Sequence, residues 1–196
     1  VVLTEPLVIK SPTKASVPTF EVIIDLNGHT ISQQAECTGS YSMIVNHERL
    51  IINATNGGSI TFQDNGNGGS SVYGTYIVNN YGELIINDGT LEHKGTINHL
   101  DDFNTNLPIQ NYQGKVTING GTIKSADFRS LRDFTAGGEI IINGGNFIGQ
   151  VWMQGLGTGP SSLTINGGQF APIAKDGSSV FITNGSNVVN LSVSDG

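Results

Sequence analysis

One cysteine, Cys37, is all the chain contains, so neither a disulfide framework nor a metal site built on paired thiols is available to it. Cations are nearly as scarce. Nine Lys and Arg stand against sixteen Asp and Glu, a net charge of −7, and no basic cluster offsets this locally. The electrostatics that draw a protein to polyphosphate are reversed, which argues against nucleic acid as a partner. No apolar run approaches the ~18 residues of a bilayer-spanning helix, and no basic start with an apolar centre marks a signal peptide, so membrane insertion is not expected. Charged residues make up 13% where ~25% is usual. Nowhere do apolar residues at i, i+3, i+4 and i+7 back onto a Lys/Glu-rich outer surface, so helices are not expected either.

Glycine is abundant instead: 27 of 196 residues, about twice the ordinary ~7% share, a composition suited to many tight corners. The length fits one domain, residues 1–196, able to bury a core without covalent staples. Opening on Val1 rather than Met, the chain is expected to be a fragment of a longer one.

One block recurs, of the form apolar-x-apolar-Asn-Gly-Gly-Thr-apolar. Its copies are Ile24-Asp25-Leu26-Asn27, Leu50-Ile51-Ile52-Asn53, Leu84-Ile85-Ile86-Asn87, Val116-Thr117-Ile118-Asn119, Ile140-Ile141-Ile142-Asn143 and Leu163-Thr164-Ile165-Asn166, with Leu191-Ser192-Val193-Ser194 as a degraded seventh. Alternation before each Asn is the signature of a strand with one buried face. The glycines that follow permit the positive φ of a sharp corner. A second apolar position then returns at Ile31, Ile60, Leu91, Ile123, Phe147 and Phe170, and a third patch at Met43-Ile44-Val45-Asn46, Tyr76-Ile77-Val78-Asn79, Leu107-Pro108-Ile109-Gln110-Asn111, Ser130-Leu131-Arg132-Asp133 and Phe181-Ile182-Thr183-Asn184. Three short strands per repeat cannot pair as hairpins over such distances, but stacked repeats pair every strand in parallel. The expectation is an all-β, single-stranded parallel β-helix of three strands per coil and about seven coils. It is right-handed by the usual sense of parallel crossovers, with the repeated Asn stacked into a structural row.

The run Val22 to Ile31, together with Thr117 to Ile123 and Leu163 to Phe170, resembles the pectate-lyase-like β-helix superfamily, and more narrowly the modules of phage tail spikes, virion fibres and bacterial surface adhesins. The resemblance implies a rigid, projecting module at a virion or cell surface, cut from a longer polypeptide that in viral relatives is commonly a homotrimer. It implies little chemistry, because the same coils carry lyases, hydrolases, binders and stalks. Of the pectin-hydrolase signature only an Asp-Asp pair, Asp101-Asp102, is present.

Between the second and third strands the repeats carry extra residues at Gln63 to Gly74, Glu92 to Asn106 and Lys124 to Arg129, expected to form a wall on one edge. This wall and its margin hold His93, His99, Asp101, Asp127, Arg129 and Arg132, with Trp152 on the following coil, and together they are the expected ligand-binding residues. Asp101, Asp102, Asp127 and Asp133 are the acids a glycan-cleaving enzyme would use. Asp64-Asn65-Gly66-Asn67 lacks the later glutamate of a calcium loop, and none of the four histidines has zinc-site spacing; no metal or cofactor is expected. Trp152, Tyr73, Tyr76, Tyr81 and Tyr112 offer flat faces for sugar rings. The function expected is a noncatalytic fibre, spike or surface-attachment module that recognises a surface polysaccharide or receptor. The alternatives are a polysaccharide lyase or glycoside hydrolase and a purely structural stalk.

Overall fold

The computed structural model describes residues 1–10, 20–37, 39–65, 74–95, 106–173, 178–182 and 189–194, without the side chains of Asp127, Phe128, Phe181, Val189 and Asn190. Every regular element among them is a β-strand, and every strand pairing is parallel. The pairings run in three series. The first joins β2 (Glu21–Asp25), β5 (Arg49–Asn53), β8 (Glu83–Ile86), β11 (Lys115–Ile118), β13 (Glu139–Ile142), β15 (Ser161–Ile165) and β18 (Val189–Val193) into a seven-stranded sheet. The second joins β3 (Thr30–Ala35), β6 (Ser59–Asp64), β9 (Thr90–Lys94), the first part of β12 (Thr122–Thr135), the first part of β14 (Asn146–Leu156) and β16 (Gln169–Ala171). The third joins β1 (Leu7–Ile9), β4 (Tyr41–Asn46), β7 (Thr75–Asn80), β10 (Leu107–Tyr112), the later parts of β12 and β14, and β17 (Val180–Ile182).

Register converts sequence alternation into columns. Leu50, Leu84, Val116, Ile140 and Leu163 lie opposite one another, as do Ile52, Ile86, Ile118 and Ile142, and all nine are buried. Ile60, Leu91, Ile123 and Phe147 form the matching column of the second series, and Ile44, Val78, Ile109, Leu131 and Val151 that of the third. Ile118→Val removes one methyl from such a column and is expected to cost about 1 kcal/mol, read as a lower midpoint in urea unfolding. Outside the first series Arg49 bridges Glu21 at 3.0 Å and Glu83 at 3.5 Å, and Lys115 bridges Glu139 at 3.2 Å. Such half-exposed pairs add little stability.

The glycine corners are tight because backbone packs on backbone. Gly121 has φ +84°, and a Cβ there would meet Asp88 and Gly89 backbone, so neither conformation nor space admits a side chain. At the same corner the repeated asparagines stack as expected. Asn87 donates to Asn53 at 2.8 Å, Asn119 to Asn87 at 2.7 Å, Asn143 to Asn119 at 2.8 Å and Asn166 to Asn143 at 2.7 Å, and the Ser194 hydroxyl closes the row on Asn166.

Three expectations need correction. Asn27 is not in that row: Asp25 is the register partner of Asn53, and Asn27 instead accepts from Asn56 in the next corner, because the first two corners are longer than the rest. In the third series Asn46 pairs with Asn80, not Asn79. Lys124 to Arg129 is not a loop but lies within β12, where Lys124 pairs with Ile148 and Arg129 with Gln150. The surplus residues are absorbed as a bulge, so this part of the expected wall is sheet.

Candidate functional site

The corner that follows the third series has a polar inside and an aromatic outside. Inside, the Asn46 amide donates to Asn80 at 2.7 Å, Asn80 to Asn111 at 2.9 Å and Asn111 to the Asp133 carboxylate at 2.9 Å. All four are fully buried. Each amide also donates to the carbonyl of its own turn, Glu48, Gly82 or Gly114. Asn46 and Asn80 also reach the first-series strand of the next repeat, at the carbonyls of Glu83 in β8 and Lys115 in β11. The row therefore ends on a group that can only accept when ionised, and burial raises the Asp133 carboxyl to about 6, the Ser161 hydroxyl and the Asn111 amide opposing that less strongly.

The residue after each of these four points outward. His47 stacks on Tyr81 with centroids 4.8 Å apart, Tyr81 on Tyr112 at 5.1 Å, and Tyr112 meets Phe134 edge to face at 5.1 Å. His47 and Tyr81 are exposed, the latter to 42%, while Tyr112 and Phe134 are half-buried. Behind this column the Arg132 guanidinium lies 4.2 Å from the Phe134 ring and 4.4 Å from that of Trp152, whose face also carries Arg129 at 3.9 Å. Arg132 donates to Gln154 Oε1 from Nε at 2.9 Å and from Nη2. Because the rings stack on one another, the column turns outward a ridge of ring edges and phenol hydroxyls with a guanidinium at its margin, which can lie along an extended sugar chain and hydrogen-bond its hydroxyls.

The expected binding residues divide. Arg129, Arg132 and Trp152 come together, on adjacent strands of the third series rather than on loops. Trp152 sits on the outer side of β14, between the inward Val151 and Met153, and is only 5% exposed because the two guanidinium groups cover it. His93 goes elsewhere. It is buried in β9, edge-on to Phe62, with Nε2 2.9 Å from the Thr75 hydroxyl. That hydroxyl donates to Asn106 Oδ1 at 2.9 Å, which leaves His93 Nε2 as the donor in the pair. Burial lowers the imidazole to about 4, so His93 is a neutral interior residue and not part of a ligand-facing wall.

Asp133 is likewise interior, which removes it from the acids that could reach a substrate. Asp64 is buried and accepts from the Cys37 backbone N–H, while Gly66 and Asn67 of the same segment lie outside the described residues. Asp127 lies within β12, its side chain outside the description. His99, Asp101, Asp102 and Tyr73 lie outside the described residues. Two members of the aromatic column, His47 and Phe134, were not anticipated. The signal was present as Asn-His, Asn-Tyr, Asn-Tyr and Asp-Phe at positions 46, 80, 111 and 133, but aligning Asn46 with Asn79 hid it. Comparison with known proteins yields no matching family model, no similar curated protein and no similar solved structure.

Proposed function

We propose that the chain is a section of a right-handed parallel β-solenoid, three strands to each of about seven coils and akin to the pectate-lyase-like proteins. In this reading it serves as a noncatalytic attachment module of a virion fibre, spike or cell-surface protein and holds a surface glycan along its outer aromatic column. Return of the chain to the same series at every third strand supports the coil, and the usual sense of parallel crossovers supports the hand. The observation that carries the function is the stack of His47, Tyr81, Tyr112 and Phe134 on the outside of one corner. An interior row of amides already holds that corner together, so the rings are not needed to fill a core. Burial of His93 and Asp133 favours binding over cleavage, because it takes both out of reach of a substrate.

A glycan array probed with the purified chain tests the reading. Tyr112→Ala is expected to weaken the best binder about tenfold, ~1.4 kcal/mol, with Tyr81→Ala similar and thermal melts little changed. Binding indifferent to both substitutions would move the site elsewhere, and a wild-type chain that captures no glycan would favour the stalk reading.

A further inference from the structure

The outer face of the seven-stranded sheet is not the polar surface that a solvated sheet ordinarily presents. In register along it stand Ile23, Ile51, Ile85, Thr117, Ile141 and Thr164. Ile23 is 57% exposed, and the other five are half-buried. Strand propensity alone would be served by threonine at every one of these places, as it is at 117 and 164, so four outward isoleucines in one column need a further reason. On one side the column is bordered by charges that alternate in sign, Glu21, Arg49, Glu83, Lys115 and Glu139. On the other runs the neutral asparagine row. An apolar stripe with a polar rim is the surface of an interface rather than of a solvated wall.

We propose that this face binds a second copy of the chain, the two sheets packed face to face about a two-fold axis that runs along the strands between β8 and β11. A two-fold interface sets one patch against itself, and here the charges choose how. Rotation about that axis brings Glu83 opposite the partner's Lys115 and Arg49 opposite the partner's Glu139, while Ile51 meets the partner's Ile141 and Ile85 the partner's Thr117. Moving the axis onto β8 would put Glu83 on the partner's Glu83 and Arg49 on the partner's Lys115, like against like. Turning it perpendicular to the strands would leave the charged row facing asparagines. Strands of the two copies then share one direction, as in aligned sheet packing. Six strands of four or five residues overlap on each copy, and at about 4.8 Å between strands and about 3.3 Å per residue their footprint is roughly 400 Å². Doubled, it lies among the small interfaces of weak, reversible pairs. The net charge of −7 on each copy opposes association at long range, but physiological salt screens it, whereas the facing ion pairs act at contact. Such a dimer forms whether or not the aromatic column holds a glycan.

Sedimentation equilibrium of the purified chain at physiological salt, from micromolar to millimolar concentration, tests the pairing. The wild type should pass reversibly from monomer to dimer. Glu83→Lys sets cation against cation on both sides of the axis, and Lys115→Glu sets carboxylate against carboxylate. Each should weaken dimerisation about tenfold or more, with melting temperatures little changed because the ion pairs within one chain are half-exposed. Mixed in equal amounts, the two variants should dimerise with each other about as well as the wild type does with itself, since both facing contacts regain opposite signs. Ile141→Thr keeps a β-branched side chain in the strand and should weaken the dimer several-fold without lowering the melting temperature. A chain that stays monomeric throughout, or one that forms trimers, overturns the proposal. So does a dimer that both charge reversals leave intact, or a mixture in which the two folded variants do not pair.

Discussion

Replacing Asp133 with Asn should stabilise the fold at pH 7 by about 3 kcal/mol and expose an acid sensitivity that the wild-type chain conceals. Burial raises the Asp133 carboxyl from its ordinary 3.8 to about 6. A group raised in this way favours the folded state while protonated. Its contribution is complete below pH 3.8 and is lost as pH rises towards 6, about 3 kcal/mol for two pKa units. His93 has the opposite sign. Its imidazole falls from 6.5 to about 4 on burial, so the unfolded chain binds the proton more readily, and stability is lost as pH falls from 6.5 to 4, again by about 3 kcal/mol. Over pH 4 to 6 the two opposing slopes cancel to a first approximation, and the wild-type melting temperature should vary little there on their account.

Asp133→Asn removes one slope and keeps the acceptor for Asn111, so its melting temperature should exceed that of the wild type at pH 7 and drop steeply as pH falls to 4. Below pH 4.5 Glu92, held low chiefly by its hydrogen bond to Lys124, adds to the acid loss in both proteins. Melting temperatures of the two chains across pH 4 to 7.5 check this. Parallel curves would mean that Asp133 does not titrate as an interior acid.

Removing Asn80 should be among the most damaging single changes in the molecule. Its amide nitrogen donates to Gly82, to Asn111 and to Lys115, and its oxygen accepts from Asn46, all at a fully buried position. Asn80→Ala takes the donor from Asn111 Oδ1, leaves the Gly82 carbonyl with the Lys115 N–H alone, weakens the Asn46 amide and opens a cavity the size of a side-chain amide. With an orphaned buried group costing ~1–3 kcal/mol and the cavity adding to it, the expected loss is about 3 kcal/mol, a large share of the ~5–15 kcal/mol that holds a domain folded. Asn80→Asp is not a rescue, since it places a second acceptor-only group against Asn111 Oδ1. Gly114 faces the same row: a Cβ there would stand 2.5 Å from both the Asn80 amide nitrogen and the Gly82 carbonyl. Urea unfolding of Asn80→Ala with a midpoint near that of the wild type would contradict the hydrogen-bonded row.

What could be read from the sequence followed from how strongly each feature is constrained locally. Aliphatic alternation before each anchor asparagine set the inward columns, because a one-residue slip would turn every Ile and Leu to solvent. From Asn53 to Asn166 the first-corner asparagine row was legible for the same reason, each asparagine standing one and three residues after the two inward positions of its strand. The third series was harder. Tyr76-Ile77-Val78-Asn79-Asn80 offers two asparagines and an unbroken apolar run, so alternation does not choose the register there. The choice is made by the buried amide row, which requires Asn80 against Asn46 and Asn111 and is a contact between residues about thirty positions apart. Lys124 to Arg129 reads as a polar insertion and is sheet because its ends are paired, Lys124 and Ser125 on β9 and Lys124 and Arg129 on β14, with the residues between taken up as a bulge. His93, flanked by Glu92 and Lys94, looks like a surface residue. Strand alternation turns it inward, while its neighbours form an exposed cluster with Lys124.

Disulfide trapping tests most directly whether successive strands stack in parallel register, on which both corner rows and the aromatic column depend. Ile85 and Thr117 are register partners on the outer face of the first series, whereas Lys115 on the same strand is opposite Glu83. In a chain carrying Ile85→Cys and Thr117→Cys, mild oxidation should form the cross-link nearly completely. The Ile85→Cys, Lys115→Cys control should remain largely reduced. Equal cross-linking of the two pairs, or none at 85 and 117, would contradict the stacking.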